Sequence, residues 1–114
     1  SEISLQNRFR SHPEIELVVH APASRVIREF TSSTLFIGND SGPAHIAAFL
    51  SVPSITLIGP VDPRRTRPRG KHSLVLYKNL SCSPCHFSGS TCTDNRCMKE
   101  IGVDDVWNIV KRHL

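Results

Sequence analysis

Short apolar runs alternate with amphipathic stretches along this chain, a pattern typical of strands that alternate with helices. The predicted strands are residues 15–20, 34–38, 54–58 and 73–77, and the predicted helices are 22–30, 42–51 and 103–113. Such alternation produces βαβ units and a parallel sheet. We therefore expect an α/β fold, a Rossmann-like parallel sheet with helices on both faces.

The predicted helices carry apolar residues at helical spacing, which indicates the face that packs on the sheet. The predicted packing residues of the last two helices are Ile46, Ala47, Leu50, Val103, Val106, Trp107 and Val110. Residues 1–14 are poorly patterned, apart from Ile3, Leu5 and Phe9, which suit the tail of a helix.

The stretch 34–48, TLFIGNDSGPAHIAA, combines a buried strand, a tight turn and the start of a helix. The turn glycines are predicted to supply positive φ angles, and Asp40 or Ser41 is predicted to cap the helix. A helix N-terminus at the carboxyl end of a parallel strand favours an anion such as phosphate. Asp40 and His45 then suit a ligand site; the alternative is a plain turn with Asp40 as cap and His45 in solvent.

Composition and net charge restrict the possible classes of function less than the motif at residues 34–48 does. The 114 residues suit one domain, with 39% apolar residues and a mean hydropathy of −0.19. No apolar run is long enough to span a membrane. The net charge of +4 gives mild attraction to anions, but it is too small to indicate nucleic-acid binding.

Residues 37–63, IGNDSGPAHIAAFLSVPSITLIGPVDP, resemble the central motif of glycosyltransferase family 9, the ADP-heptose:lipopolysaccharide heptosyltransferases and their relatives. The family pattern D-[ST]-G-x-x-H-x-A is matched from Asp40 to Ala47. The resemblance implies a GT-B enzyme with two Rossmann-like domains facing a cleft. Residues 1–114 are then a donor-binding domain truncated at its N-terminus, and the missing N-terminal domain binds the acceptor and holds the catalytic base. We expect such a piece alone to be inactive.

The resemblance also implies roles for individual residues. Asp40 would bind sugar hydroxyls, the backbone N–H groups of Ser41 and Gly42 would face the diphosphate, and His45 would lie against the phosphates. Ala21, in the loop 20–22, would lie near the nucleotide base, although a plain strand end is the alternative there. Gly59 begins a third loop, 59–63, which is expected at the same edge of the sheet.

The activity implied is inverting transfer of a heptose, or a related sugar, from an ADP-sugar to a lipopolysaccharide core or a protein acceptor. No catalytic metal and no nucleic-acid partner are expected. The expected location is the cytoplasm, with peripheral association at the inner face of a bacterial cytoplasmic membrane.

Residues 79–100 form a cysteine-rich insertion in which Cys82, Cys85, Cys92 and Cys97 follow a C-x₂-C-x₆-C-x₄-C pattern. Four thiolates suit a structural zinc or iron ion, with His86 as a substitute ligand. Two disulfides and four free thiols are the alternatives, and a reducing cytosol argues against disulfides. In the autotransporter-modifying branch of the family, a four-cysteine iron finger occurs. We expect such a site to stabilise the fold and leave the chemistry of the donor pocket unchanged.

A cationic run lies between the third and fourth predicted strands. It suits either a solvated loop or a contact with the donor diphosphate or an anionic acceptor, and it consists of Arg64, Arg65, Arg67, Arg69 and Lys71. Two other functions compete with sugar transfer. One is a metal-finger module that binds protein or nucleic acid, and the other is a hydrolase, disfavoured because Asp40 and Ser41 are adjacent and cannot flank one imidazole.

Overall fold

Three parallel strands and six helices make up the part of the protein that its structure, a computed structural model, describes: residues 2–83, 85, 92 and 94–113. The strands are β1 (Phe36–Asn39), β2 (Ser54–Ile58) and β3 (Ser73–Tyr77). The helices are α1 (Glu2–Phe9), α2 (Ala23–Thr31), α3 (Gly42–Phe49), α4 (Pro63–Thr66), α5 (Arg96–Lys99) and α6 (Val103–His113). None of the described helices is both long and apolar enough to cross a membrane.

The sheet has the order β1-β2-β3, and both neighbouring pairs are parallel. Ile37 is in register with Ile55, and Ile55 with Leu74. The α/β class with a parallel sheet is therefore confirmed. Because all three strands point the same way, the ends of β1 and β2 open on one edge, where a ligand is expected in such folds.

The predicted strand at residues 15–20 is wrong, since these residues form neither a strand nor a helix. Its apolar side chains remain between 37 and 41% exposed at Ile15, Leu17, Val18 and Val19. A β-branched run fits a half-buried pleated surface, but it becomes a strand only when its backbone is paired with a neighbour. The local pattern contains no information about that pairing.

Helix α3 packs through its small residues, and the predicted face was wrong in detail. Ala44, Ala47 and Ala48 are buried, whereas Ile46 is more than one-third exposed and Phe49 is 86% exposed. The backbone comes close here, because a Cβ atom built on Gly70 would lie 3.0 Å from the Ala48 Cβ. Alanine permits this approach, and a larger side chain on that face would push the helix away.

Helix α6 has the predicted bounds but a rotated packing face. Val110 is buried, whereas Val103 is 85% and Trp107 54% exposed. The helix is joined to the end of β3 by the Lys78 ammonium, which lies 3.0 Å from the Asp105 carboxylate. The same carboxylate accepts a hydrogen bond from the Gly102 N–H at 2.8 Å, so it holds the first turn of the helix.

Two short helices lie in segments for which no helix was predicted. Pro63 occupies the first turn of α4, and the Asp62 side chain accepts a hydrogen bond from the Arg64 N–H at 3.0 Å. Asn95 precedes α5 in the left-handed conformation, with φ of 50°. Both helices have four residues, so helical periodicity could not indicate them.

The Asp105 contacts predict a pH-dependent contribution to stability. The Gly102 hydrogen bond, and then Lys78, lower the pKa of Asp105 below its ordinary value of 3.8. A carboxyl group with a depressed pKa stabilises the folded state above the unfolded pKa, and this is lost as the pH falls through the folded one. Asp105→Asn should therefore lower the midpoint of thermal unfolding at neutral pH, and the difference from wild type should vanish in acid well below pH 3.8.

The matched control is Asp104→Asn, which removes the same charge from the same first turn. Asp104 makes neither of the two contacts, so its replacement should have the smaller effect. Equal shifts in the two variants at neutral pH would assign the effect to the helix dipole instead.

Candidate functional site

The turn between β1 and α3 holds Asp40 in a partly buried position. The carboxylate is 16% exposed and lies 3.6 Å from the His45 Nε2 atom, while the imidazole is 53% exposed. His45 is one turn into the helix, so its side chain points back toward the end of β1. The structure thus brings together the acidic and the imidazole side chain of the motif.

The start of α3 has no side-chain cap. Ser41 occupies the N-cap position in an extended conformation, but its hydroxyl faces the Asn39 carbonyl at 3.4 Å. Ser41 therefore occupies the N-cap position, as predicted, but its side chain does not cap the helix. A Cβ atom built on Gly42 would have no neighbour within 4 Å, so the space beside the first helical residue is open. An uncapped helix start with open space beside it suits an anionic group.

Gly59 acts by close approach and not by positive φ. No described glycine has a positive φ angle, which corrects the sequence-based expectation. A Cβ atom built on Gly59 would lie 2.7 Å from the Cys97 Sγ atom and 2.8 Å from the Met98 Sδ atom. Gly59 therefore allows the cysteine-rich segment to pack directly on the end of β2.

A cavity of about 520 Å³ opens at this edge of the sheet, and we call it the Asp40 cavity. Its volume lies within the usual range for small-molecule sites. Three parts of the chain form its described wall: the end of β1, the end of β2 with its following loop, and the cysteine-rich segment. The lining residues are Asn39, Asp40, residues 57–61, Cys85, Cys92, Asn95, Cys97, Met98 and Lys99.

The cysteine-rich segment is attached to the loop after β2 by two hydrogen bonds. The Cys85 N–H donates to the Pro60 carbonyl at 2.8 Å, and the Ser83 hydroxyl donates to the Gly59 carbonyl. Cys97 is buried at the same place. The segment is therefore part of the wall of the Asp40 cavity, which its position in the sequence did not indicate.

The four thiols lie close enough to influence one another. Burial raises the pKa of the Cys97 thiol, and the nearby thiols of Cys85, Cys82 and Cys92 raise it further. Among the described residues, no three potential ligands are already arranged as a metal site. The donor set suits a thiophilic ion, which would have to draw the sulfurs together. His86 lies outside the described residues.

Comparison with known proteins identifies the family. The model of glycosyltransferase family 9 (heptosyltransferase) matches residues 24–94. The chain belongs to glycosyltransferase family 9. The match includes the Asp40 turn, both strands that end at the Asp40 cavity, and three of the four cysteines.

Curated relatives within the family carry heptosyltransferase names. The chain is 32% and 29% identical to lipooligosaccharide heptosyltransferase 2 from two strains of Campylobacter jejuni, over 70% and 68% of its length. It is 39% identical to lipopolysaccharide heptosyltransferase 1 of Pseudomonas aeruginosa over 47% of its length. The matches cover 25%, 25% and 15% of these relatives, so the chain spans about a quarter of the first two. No solved structure matches the chain.

Only some of the residues that the family resemblance indicated line the cavity of this family 9 chain. Asp40 and Gly59 do, whereas Ser41, Gly42 and His45 lie beside it in the turn and on α3. Ala21 is outside the described wall of the cavity and immediately precedes Pro22, the N-cap residue of α2. The structure therefore joins two of the three loops that were expected to meet.

The cationic run does not line the described wall of the cavity either. The Arg64 guanidinium lies 2.9 Å from the Asp62 carboxylate, and Arg67 and Arg69 donate to the carbonyls of Ser73 and Arg64. These contacts favour the interpretation of a structural, solvated loop. Lining residues that the sequence analysis missed include Asn95 and Lys99, for which the only local signal was the polar turn before Cys97.

The close approach at Gly59 predicts a strong stability effect. In Gly59→Ala the new methyl group would overlap with Cys97 and Met98. Overpacking of this kind costs about 1–3 kcal/mol, measurable as a lower midpoint in chemical denaturation. Gly42→Ala is the control, because no atom lies within 4 Å of that Cβ position. Equal stability of the two variants would show that Gly59 is not needed for packing.

Proposed function

We propose that this protein is the donor-binding part of an inverting glycosyltransferase of the GT-B type, which transfers a heptose from an ADP-sugar to a lipopolysaccharide core. Family membership and the names of the curated relatives support this. The observation that carries the proposal is the position of Asp40, which is partly buried, lines the cavity and lies beside His45.

In this proposal, different residues of the turn bind different parts of the donor. The Asp40 carboxylate accepts hydrogen bonds from sugar hydroxyls, because an ionised carboxylate only accepts. The uncapped start of α3 favours the negative charge of the diphosphate, and the His45 imidazole lies beside the phosphates. The apolar wall from Leu57 to Val61 excludes water from one side and strengthens these interactions.

The proposed reaction is a single displacement. An acceptor hydroxyl attacks the anomeric carbon from the side opposite the diphosphate and loses its proton to a base. The bond between the anomeric carbon and the diphosphate oxygen breaks, and ADP leaves with the electron pair. We assign the base and the acceptor site to the facing N-terminal domain, and the stabilisation of the leaving group to the end of α3.

The proposed cellular location follows from the nature of the acceptor. A lipopolysaccharide core is attached to lipid, so we place the enzyme on the cytoplasmic side of a bacterial membrane, in peripheral contact with its inner face. The net charge of +4 favours an anionic surface or substrate. Protein acceptors are the alternative that the cysteine pattern suggests.

Replacement of Asp40 tests the donor role. Asp40→Ala in the complete enzyme should lower kcat/KM for the ADP-sugar by about 100-fold, if its hydrogen bonds strengthen in the transition state. Asp104→Ala removes an acidic side chain from α6 and should leave the rate unchanged. A wild-type rate in Asp40→Ala would show that Asp40 has a structural role in the turn and no role in donor binding.

We further propose that Cys82, Cys85, Cys92 and Cys97 hold one structural zinc or iron ion. Mutual repulsion of thiolates and burial disfavour four uncompensated charges, and a divalent cation removes that cost. The packing of Cys97 on Gly59 argues against an independent metal-finger module, since the segment forms a wall of the Asp40 cavity.

Metal analysis tests this second proposal. Protein purified without chelator should contain about one equivalent of zinc or iron, and Cys82→Ser should lose it together with stability, because a structural metal contributes about 10–16 kcal/mol in small sites. Ser81→Ala, at an exposed neighbour, should retain the metal. A folded, metal-free protein with four reactive thiols would contradict the site.

A further inference from the structure

We propose that Lys99, which α5 presents to the Asp40 cavity, binds the phosphate groups of the nucleotide-sugar donor. This inference deepens the proposed function and rests on it. Lys99 is the only positively charged side chain among the described residues that line the cavity. The cysteine-rich segment would then have a role in donor binding besides its role in stability.

The position of Lys99 depends on contacts at both ends of its segment. Its N–H donates to the Asn95 carbonyl at 3.0 Å, so the residue belongs to the turn that begins at Asn95. Cys97 and Met98, immediately before it, pack on Gly59 at the end of β2. The backbone of Lys99 is therefore held at the carboxyl edge of the sheet, where the donor is proposed to bind.

The charge of Lys99 is available for a ligand. No ion pair with a described carboxylate involves its ammonium group, and the neighbouring Glu100 is directed to Arg96 at 3.7 Å. Other cations of the region differ in this respect. Lys78 is paired with Asp105, and Arg64 with Asp62.

The surroundings strengthen an interaction between Lys99 and an anion. The wall beside it includes Ile58, Val61 and Met98, and an apolar wall lowers the local dielectric constant. A lysine ammonium is a mobile point charge that suits phosphate oxygens without fixed geometry. Asp40 lines the same cavity, in the turn between β1 and α3, and suits the hydroxyl groups of the sugar. The two residues thus suit two adjoining parts of a nucleotide sugar, its sugar and its diphosphate.

Calorimetric titration of the intact protein with ADP tests the inference. Lys99→Gln should weaken ADP binding by about 10- to 100-fold, the size expected when one hydrogen bond between charged groups is lost. Lys99→Arg should restore most of the affinity, because it keeps the charge. Lys111→Gln, an exposed lysine of α6, is the matched control for net charge and should bind ADP like wild type.

A second measurement separates charge from structure. Added salt should weaken ADP binding to wild type more steeply than to Lys99→Gln, because the variant lacks one of the charges that salt screens. A purely structural role would instead change the unfolding midpoint and leave the salt dependence alone. Wild-type affinity in Lys99→Gln, or an equal loss in Lys111→Gln, would overturn the inference.

The controls distinguish this inference from the function on which it rests. A lower kcat/KM for the ADP-sugar in Asp40→Ala, together with ADP binding that is unaffected in Lys99→Gln, would leave the donor site in place and remove Lys99 from it. A wild-type protein that does not bind ADP would overturn both the proposed function and the role of Lys99.

Discussion

The contact between Gly59 and the pair Cys97 and Met98 is the constraint on which the site depends. Only a residue without a side chain lets two sulfur-containing side chains reach the backbone at the end of β2. Because they reach it, the cysteine-rich segment closes one side of the Asp40 cavity. The rest of its described wall consists of residues 39–40 and 57–61, so the cavity would be open on that side without the segment.

A second close approach positions the other side of the cavity. Helix α3 lies near the sheet because Ala44, Ala47 and Ala48 occupy its buried face, and Ala48 lies close to Gly70. The short separation brings the start of the helix to the end of β1, where Asp40 and His45 meet. The small residues of the motif thus have a packing role, and the polar residues depend on that packing for their position. In this chain, one sequence motif therefore combines the two requirements.

The charges of the chain are distributed in a way that composition does not reveal. Most of the described cations near the sheet have partners: Arg64 lies on Asp62, Lys78 on Asp105, and Arg67 and Arg69 on carbonyl groups. These contacts hold loops in place, and surface pairs of this kind contribute little to stability. The net charge of +4 is consequently a weak guide to the site. The position of one cation on the cavity wall is more informative than the number of cations.

The sequence by itself determined the α/β class, the bounds of β2, β3 and α6, and the turn that places Asp40 beside a helix start, because these depend on local periodicity and turn chemistry. It also indicated the family through residues 37–63. Only the tertiary structure decided that residues 15–20 stay outside the sheet, that alanines and not Ile46 are buried on α3, and that Gly59 serves packing. It also brought the cysteine-rich segment and Lys99 to Asp40, more than 40 positions away in the chain. Pairing, close approach and shared cavities arise between distant residues, and no local pattern encodes them.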